Sequence, residues 1–79
     1  MKVTKHAEKR MKQRLNNIIG DPELQARIAF KKGDTLPQNL KEIYISSIQN
    51  RPSIYKIWKD CIFVYNKKGN VLITVIKYD

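Results

Sequence analysis

Apolar residues recur at Ala7, Met11, Leu15 and Ile18, the three-to-four-residue interval of one helix face. His6, Arg10 and Arg14 repeat at the same interval, with Gln13 beside them, so a polar stripe borders the apolar one. This spacing predicts a helix from residue 5 to between residues 16 and 19. Thr4 is placed to cap its start, and Asn16-Asn17 or Gly20 to end it. Asp21-Pro22-Glu23 is a helix start: Asp21 caps, Pro22 sits where its missing N–H is no loss, and Glu23 suits the positive end of the dipole. A second helix is therefore expected over residues 22–32, with Leu24, Ile28, Ala29 and Phe30 as its apolar surface and Gly33 closing it. A third helix is expected over residues 37–49, where Leu40, Ile43, Tyr44, Ser47 and Ile48 share a face. Tyr44-Ile45-Ser46-Ser47 also has strand character. Asn50-Arg51-Pro52 ends this segment, since a residue before proline avoids the helical region.

The period then changes. Residues 54–58, 61–65 and 71–78 are rich in β-branched and aromatic side chains and read as strands. Lys59-Asp60 makes a tight connection, and Asn66-Lys67-Lys68-Gly69-Asn70 is a turn with the Gly and Asn that turns need. Two sets alternate through the middle strand, Cys61/Phe63/Tyr65 and Ile62/Val64, and one must pack on the helices. The expected fold is α+β: one domain over residues 1–79, three N-terminal helices packed on a three-stranded antiparallel meander.

Charge changes the picture. The net charge is +9, of which residues 1–14 carry +5, residues 15–53 +1 and residues 54–79 +3. A cationic first helix followed by a basic C-terminal part is an electrostatic footprint for a polyanion, RNA or the ribosome first. An acidic protein surface is the competing partner. Cys61 is the sole cysteine, which excludes an internal disulfide and a multi-cysteine zinc site; within an apolar run it reads as a small buried hydrophobe. No apolar run approaches the roughly 20 residues of a membrane span, so the expectation is a cytoplasmic protein with no membrane partner.

His6 is the single histidine, and its ordinary pKa lies close to neutrality, so it is the first candidate for general acid–base work. Arg10 and Arg14 on the same stripe suit a phosphate and the charge that develops on it. Such a set fits metal-free RNA cleavage, in which a base takes a proton from a 2′-hydroxyl, an arginine holds the phosphate and an acid protonates the leaving oxygen. Lys56, Tyr65 or Lys77 on the strands are candidates for the second partner. Lys5, Lys9, Lys12, Lys56 and Lys77 are the candidate nucleic-acid-binding lysines. The bland reading makes His6 a first-turn residue and the arginines a solvated face. Tyr55, Trp58, Phe63 and Tyr65 could stack on bases, but core packing is the commoner role for strand aromatics. No metal-ligand spacing, phosphate loop or dinucleotide fingerprint is present, so no cofactor is expected.

The first helix reads H-A-x-x-R-M-x-x-R as His6, Ala7, Arg10, Met11 and Arg14, and the last part reads K-x-G-x-x-L-I-T-V from Lys67 to Val75. Together these resemble small bacterial and phage proteins that open with a KHAxxRMxxR helix, a branch near the RelE/ParE-type toxins. The resemblance covers the two ends of the chain and not residues 16–53. It implies N-terminal helices set against an antiparallel sheet, and an active site at His6, Arg10 and Arg14. It also implies either a metal-independent ribonuclease toxin with an antitoxin partner or a member without catalysis. Lys77 and Tyr78 stand where RelE-type ribonucleases keep basic and tyrosine residues, whereas no arginine occurs after Arg51. Two other functions stay open: a phage or mobile-element protein that binds and inhibits a host enzyme or defence complex, and a DNA-binding module. A strand edge left open after Val75 is a candidate dimer contact.

Overall fold

Thr4 begins the first helix, α1 (Lys5–Arg14), as its capping role predicts: its Oγ1 accepts from the Ala7 N–H at 3.0 Å. The computed structural model describes residues 1–15, 21–36 and 54–78. The chain leaves α1 at Leu15, which is extended at φ −104° and ψ 120°. The helix is thus shorter than the apolar spacing implied. The second helix, α2 (Pro22–Lys32), keeps its expected bounds, with the Asp21 carboxylate accepting from the Leu24 N–H at 2.8 Å. The third helix expected at residues 37–49 lies outside the described residues.

The sheet is larger than the expected meander. It has five strands, β1 (Lys2–Val3), β2 (Asp34–Thr35), β3 (Ile54–Trp58), β4 (Cys61–Tyr65) and β5 (Val71–Lys77), in the order β1-β5-β4-β3-β2. β3, β4 and β5 are the antiparallel meander. β2 adds antiparallel to β3, and β1 adds parallel to β5 through Lys2↔Val71 and Val3↔Leu72. The α+β class stands, but a three-stranded antiparallel sheet does not: the described residues form two helices and a five-stranded mixed sheet. Two-residue strands such as Lys2-Val3 and Asp34-Thr35 are too short to show a period of two, so they left no signal.

The alternation in β4 sorts its side chains between two cores. Cys61, Phe63 and Tyr65 pack with Ala7, Met11 and Leu15 of the α1 segment and Ala26 and Ala29 of α2. Ile62 and Val64 pack with Leu36 and Tyr55 behind the sheet. Burying each such large apolar side chain is worth roughly 1.5–3 kcal/mol. Of the expected α2 surface, Ala29 is buried and Phe30 packs on the core, whereas Leu24 is 44 % exposed; the buried apolar positions of α2 are the two alanines, Ala26 and Ala29. Their small size lets the helix backbone approach β4, where the Tyr65 hydroxyl donates to the Ala26 carbonyl at 2.6 Å. Phe30 meets Tyr65 edge-on, with ring centroids 5.0 Å apart. Among the described residues no helix is long and apolar enough to cross a membrane.

Candidate nucleic-acid interface

The site begins where α1 is fastened to β5. Thr4 accepts from α1 and also donates its hydroxyl to the Ile73 carbonyl at 2.9 Å, while its N–H donates to the Leu72 carbonyl. A register shift makes this fastening available. Val64 pairs with Thr74 and Tyr65 with Leu72, which leaves Ile73 unpaired on the bulge. From there α1 rises ~15 Å over ten residues and β5 runs ~13 Å from Ile73 to Lys77, so the two elements keep step. At the far end Arg14 and Leu15 face Lys77 across a shared cavity.

A groove of about 350 Å³ lies between them. His6, Arg10 and Arg14 form one wall, and residues 73–76 of β5 form the other. His6 and Arg14 are exposed and Arg10 is half-buried. The Arg10 guanidinium donates to the Gln13 Oε1 at 3.1 Å, which steadies it along the helix. Beyond β1, no described strand pairs with the outer side of β5 from Ile73 onward.

Arg14 also lines a second, larger cavity of about 530 Å³ at the end of the groove. Gln13 and Leu15 join it from the α1 side, Lys59 and Asp60 from the β3–β4 turn, Cys61 from β4 and Lys77 from β5. Cys61 is 2 % exposed. Burial pushes its thiol pKa up; Arg14 opposes that, Asp60 adds to it and Lys77 opposes it. The thiol is therefore held protonated, a poor nucleophile and no repulsive charge to an anion. Among the described residues no group of three or more His, Cys, Asp or Glu side chains could hold a metal ion.

The candidate residues divide into three groups. His6, Arg10 and Arg14 meet in the groove, and Lys77 joins them through Arg14. Lys5, Lys9 and Lys12 are exposed on other parts of α1, Lys12 lying 3.3 Å from the Glu8 carboxylate. Lys56 sits on β3, two strands from β5, with its Nζ 5.6 Å from the Phe30 ring centroid and 3.5 Å from the Thr35 hydroxyl. Tyr65, a candidate second partner for His6, is wholly buried and commits its hydroxyl to Ala26. Burial raises its pKa far above the ordinary value, so it neither reaches the groove nor exchanges its proton there. Phe63 is wholly buried and Tyr55 nearly so, which leaves neither face open to a base. Sequence reasoning missed Lys59 and Asp60. Their signal was a two-residue hairpin turn built without Asn or Gly.

The fold and site define a small α+β protein with a cationic track along one helix. The chain matches no family model, no curated protein and no solved structure.

Proposed function

We propose that this chain binds a single-stranded polyanion, RNA first, along the track from His6 through Arg10 to Arg14. The observation that carries the reading is that Arg14 lines both the groove and the adjoining cavity. The cations of α1, the β3–β4 turn and β5 thereby form one continuous path beside the open stretch of β5. Closely spaced arginines on a groove wall suit successive phosphates, because guanidinium pairs with phosphate oxygens through two hydrogen bonds. On the β5 wall Ile73 is 37 % exposed and offers an apolar surface to a base while the phosphates face α1.

Cleavage is the second reading, and one observation favours it: His6, the single histidine, lies in the same groove as the two arginines. On that reading the chain is a RelE-like, metal-independent ribonuclease. His6 takes or returns the proton of the 2′-hydroxyl, and Arg10 and Arg14 hold the phosphate. The two readings separate in one assay. Labelled single-stranded RNA and duplex DNA are titrated with the protein in chelator across a range of salt, and the RNA is then run on a gel. The proposal expects RNA binding that weakens steeply with salt and is lost in Arg10→Gln/Arg14→Gln. Binding unchanged in that variant overturns it. Cleavage that disappears in His6→Ala, with binding kept, adds the ribonuclease; intact RNA restricts the function to binding.

A further inference from the structure

The cavity at the end of the track has its own chemistry. Among the described residues, Arg14, Lys59 and Lys77 line it as three cations beside the carboxylate of Asp60. An excess of cations over carboxylates suits the dianion of a phosphate monoester better than the monoanion of an internal phosphodiester. The cavity's 530 Å³ also falls within the roughly 300–1,000 Å³ of sites that enclose small molecules. It can take a phosphate with its sugar attached.

The backbone adds an independent observation. Trp58 pairs directly with Cys61, so Lys59-Asp60 is a two-residue hairpin turn. Both residues are left-handed, with φ 49° at Lys59 and φ 60° at Asp60. That is the type I′ turn, for which Asn-Gly is the comfortable pair. Lysine in this conformation is strained, and strain of this kind persists where the surroundings hold it. The conformation directs Lys59 and Asp60 to the cavity they line with Arg14. An Asn-Gly turn would be easier to fold and would have no cation to offer there.

We infer that the Arg14–Lys59–Lys77 cavity is a binding site for a phosphate monoester. Resting on the RNA reading above, this makes the cavity the seat of a strand's terminal phosphate, with the strand running back along the groove past Arg10 to His6. The site distinguishes a phosphorylated end from a hydroxyl end. A free mononucleotide carries the same chemistry and is the other source of ligand.

The test uses the full chain and its own reporter. Trp58 is the sole tryptophan, and the Lys59 Nζ lies 5.8 Å from its ring centroid, so indole fluorescence follows binding by the parent protein, and Lys59→Asn, which removes that coupling, is compared with the parent by equilibrium dialysis. Oligoribonucleotides with a 5′-phosphate, a 3′-phosphate or hydroxyls at both ends are titrated at one salt concentration, beside a mononucleotide and inorganic phosphate. One phosphorylated end is expected to bind about tenfold tighter than the hydroxyl end. Lys59→Asn is expected to remove that preference: it weakens the phosphorylated strand about tenfold more than the hydroxyl-ended one, which loses only the contribution of one cation on the track. The variant relieves the turn, so failure to fold does not confound it. Equal binding of phosphorylated and hydroxyl ends, with no response to mononucleotide, overturns the site and leaves the RNA reading standing. A Lys59-dependent response to mononucleotide with no oligonucleotide binding keeps the site and overturns the RNA reading.

Discussion

The two hairpin turns at the ends of β4 solve the same problem in opposite ways. The β4–β5 turn is built from residues that suit it. Asn66 Oδ1 accepts from the N–H groups of Asn70 and Val71 at 3.0 and 3.1 Å, and the left-handed position, φ 72°, is held by Gly69. The β3–β4 turn puts Lys59 and Asp60 in the left-handed region, with no glycine to ease it. One turn is optimised for making the hairpin, and the other carries side chains into a cavity. Where a short turn departs from its preferred residues, the departure points to what the turn is for.

The comparison breaks most visibly at Gly69. A Cβ there would sit 2.9 Å from the Phe30 ring in addition to its φ of 72°, and Phe30 is itself packed on Tyr65. Gly69→Ala is expected to cost about 2–3 kcal/mol, from left-handed strain plus displacement of that ring. Urea denaturation measures it. A loss below about 0.5 kcal/mol would mean that the glycine is not needed and that the two turns are not built differently.

The ends of β4 also carry its buried titratable groups, Cys61 beside the strained turn and Tyr65 beside the relaxed one. Both pKa values are raised by burial, with Tyr65 the more strongly shifted. A group whose folded pKa lies above its unfolded one stabilises the fold fully below the unfolded value, and that stability is lost as pH rises toward the folded value. For Tyr65 the loss begins at the ordinary tyrosine value of 10.0 and amounts to about 1.4 kcal/mol per pH unit. In stability measured across this range, the Tyr65 contribution should be nearly level from about pH 8 to 9, begin to fall near pH 10 and approach that slope by about pH 11. Tyr65→Phe, after an initial loss of about 1 kcal/mol for the bond to Ala26, should flatten the curve. An equally steep curve in that variant would assign the alkaline loss elsewhere.

A smaller effect belongs to Asn66. Replacing it by alanine removes the acceptor for two backbone donors, one exposed and one part-buried, and is expected to cost about 1 kcal/mol by urea denaturation. The same turn shows what the sequence made legible. Gly69, Asn66 and Asn70 announce a turn, as Asp21-Pro22 announces α2, because local backbone chemistry selects those residues. The His6–Arg10–Arg14 stripe was legible for a related reason, since helical spacing alone puts the three together. The strands β1 and β2 were not legible, because they form where tertiary contact places them. Nor was Ala26, which joins the expected Ala29 on the buried face of α2 because the helix approaches Tyr65 closely. The cavity joins α1, the β3–β4 turn and β5, and only the folded sheet brings Arg14, Lys59 and Lys77 to one place. Lys56 and Lys77 both looked like strand partners for His6, and strand order separates them.

The smallest expected effects come from the strained turn, and they have opposite chemistry. Lys59→Asn and Asp60→Gly each put a residue that accepts the left-handed region where the turn demands it, so each should stabilise the protein, by about 0.5–1 kcal/mol. Thermal or urea denaturation should show the gain in both. Their charges differ. Lys59→Asn takes a cation from the cavity, and Asp60→Gly takes away the one carboxylate that lines it among the described residues. If the cavity binds phosphate through charge, the first variant weakens that binding and the second strengthens it, although both are more stable than the parent. If both variants change affinity in the same direction, the backbone conformation of the turn matters to the ligand and not the charges it carries. If neither is more stable, Lys59 and Asp60 are not strained, and the contrast between the two turns loses its physical basis.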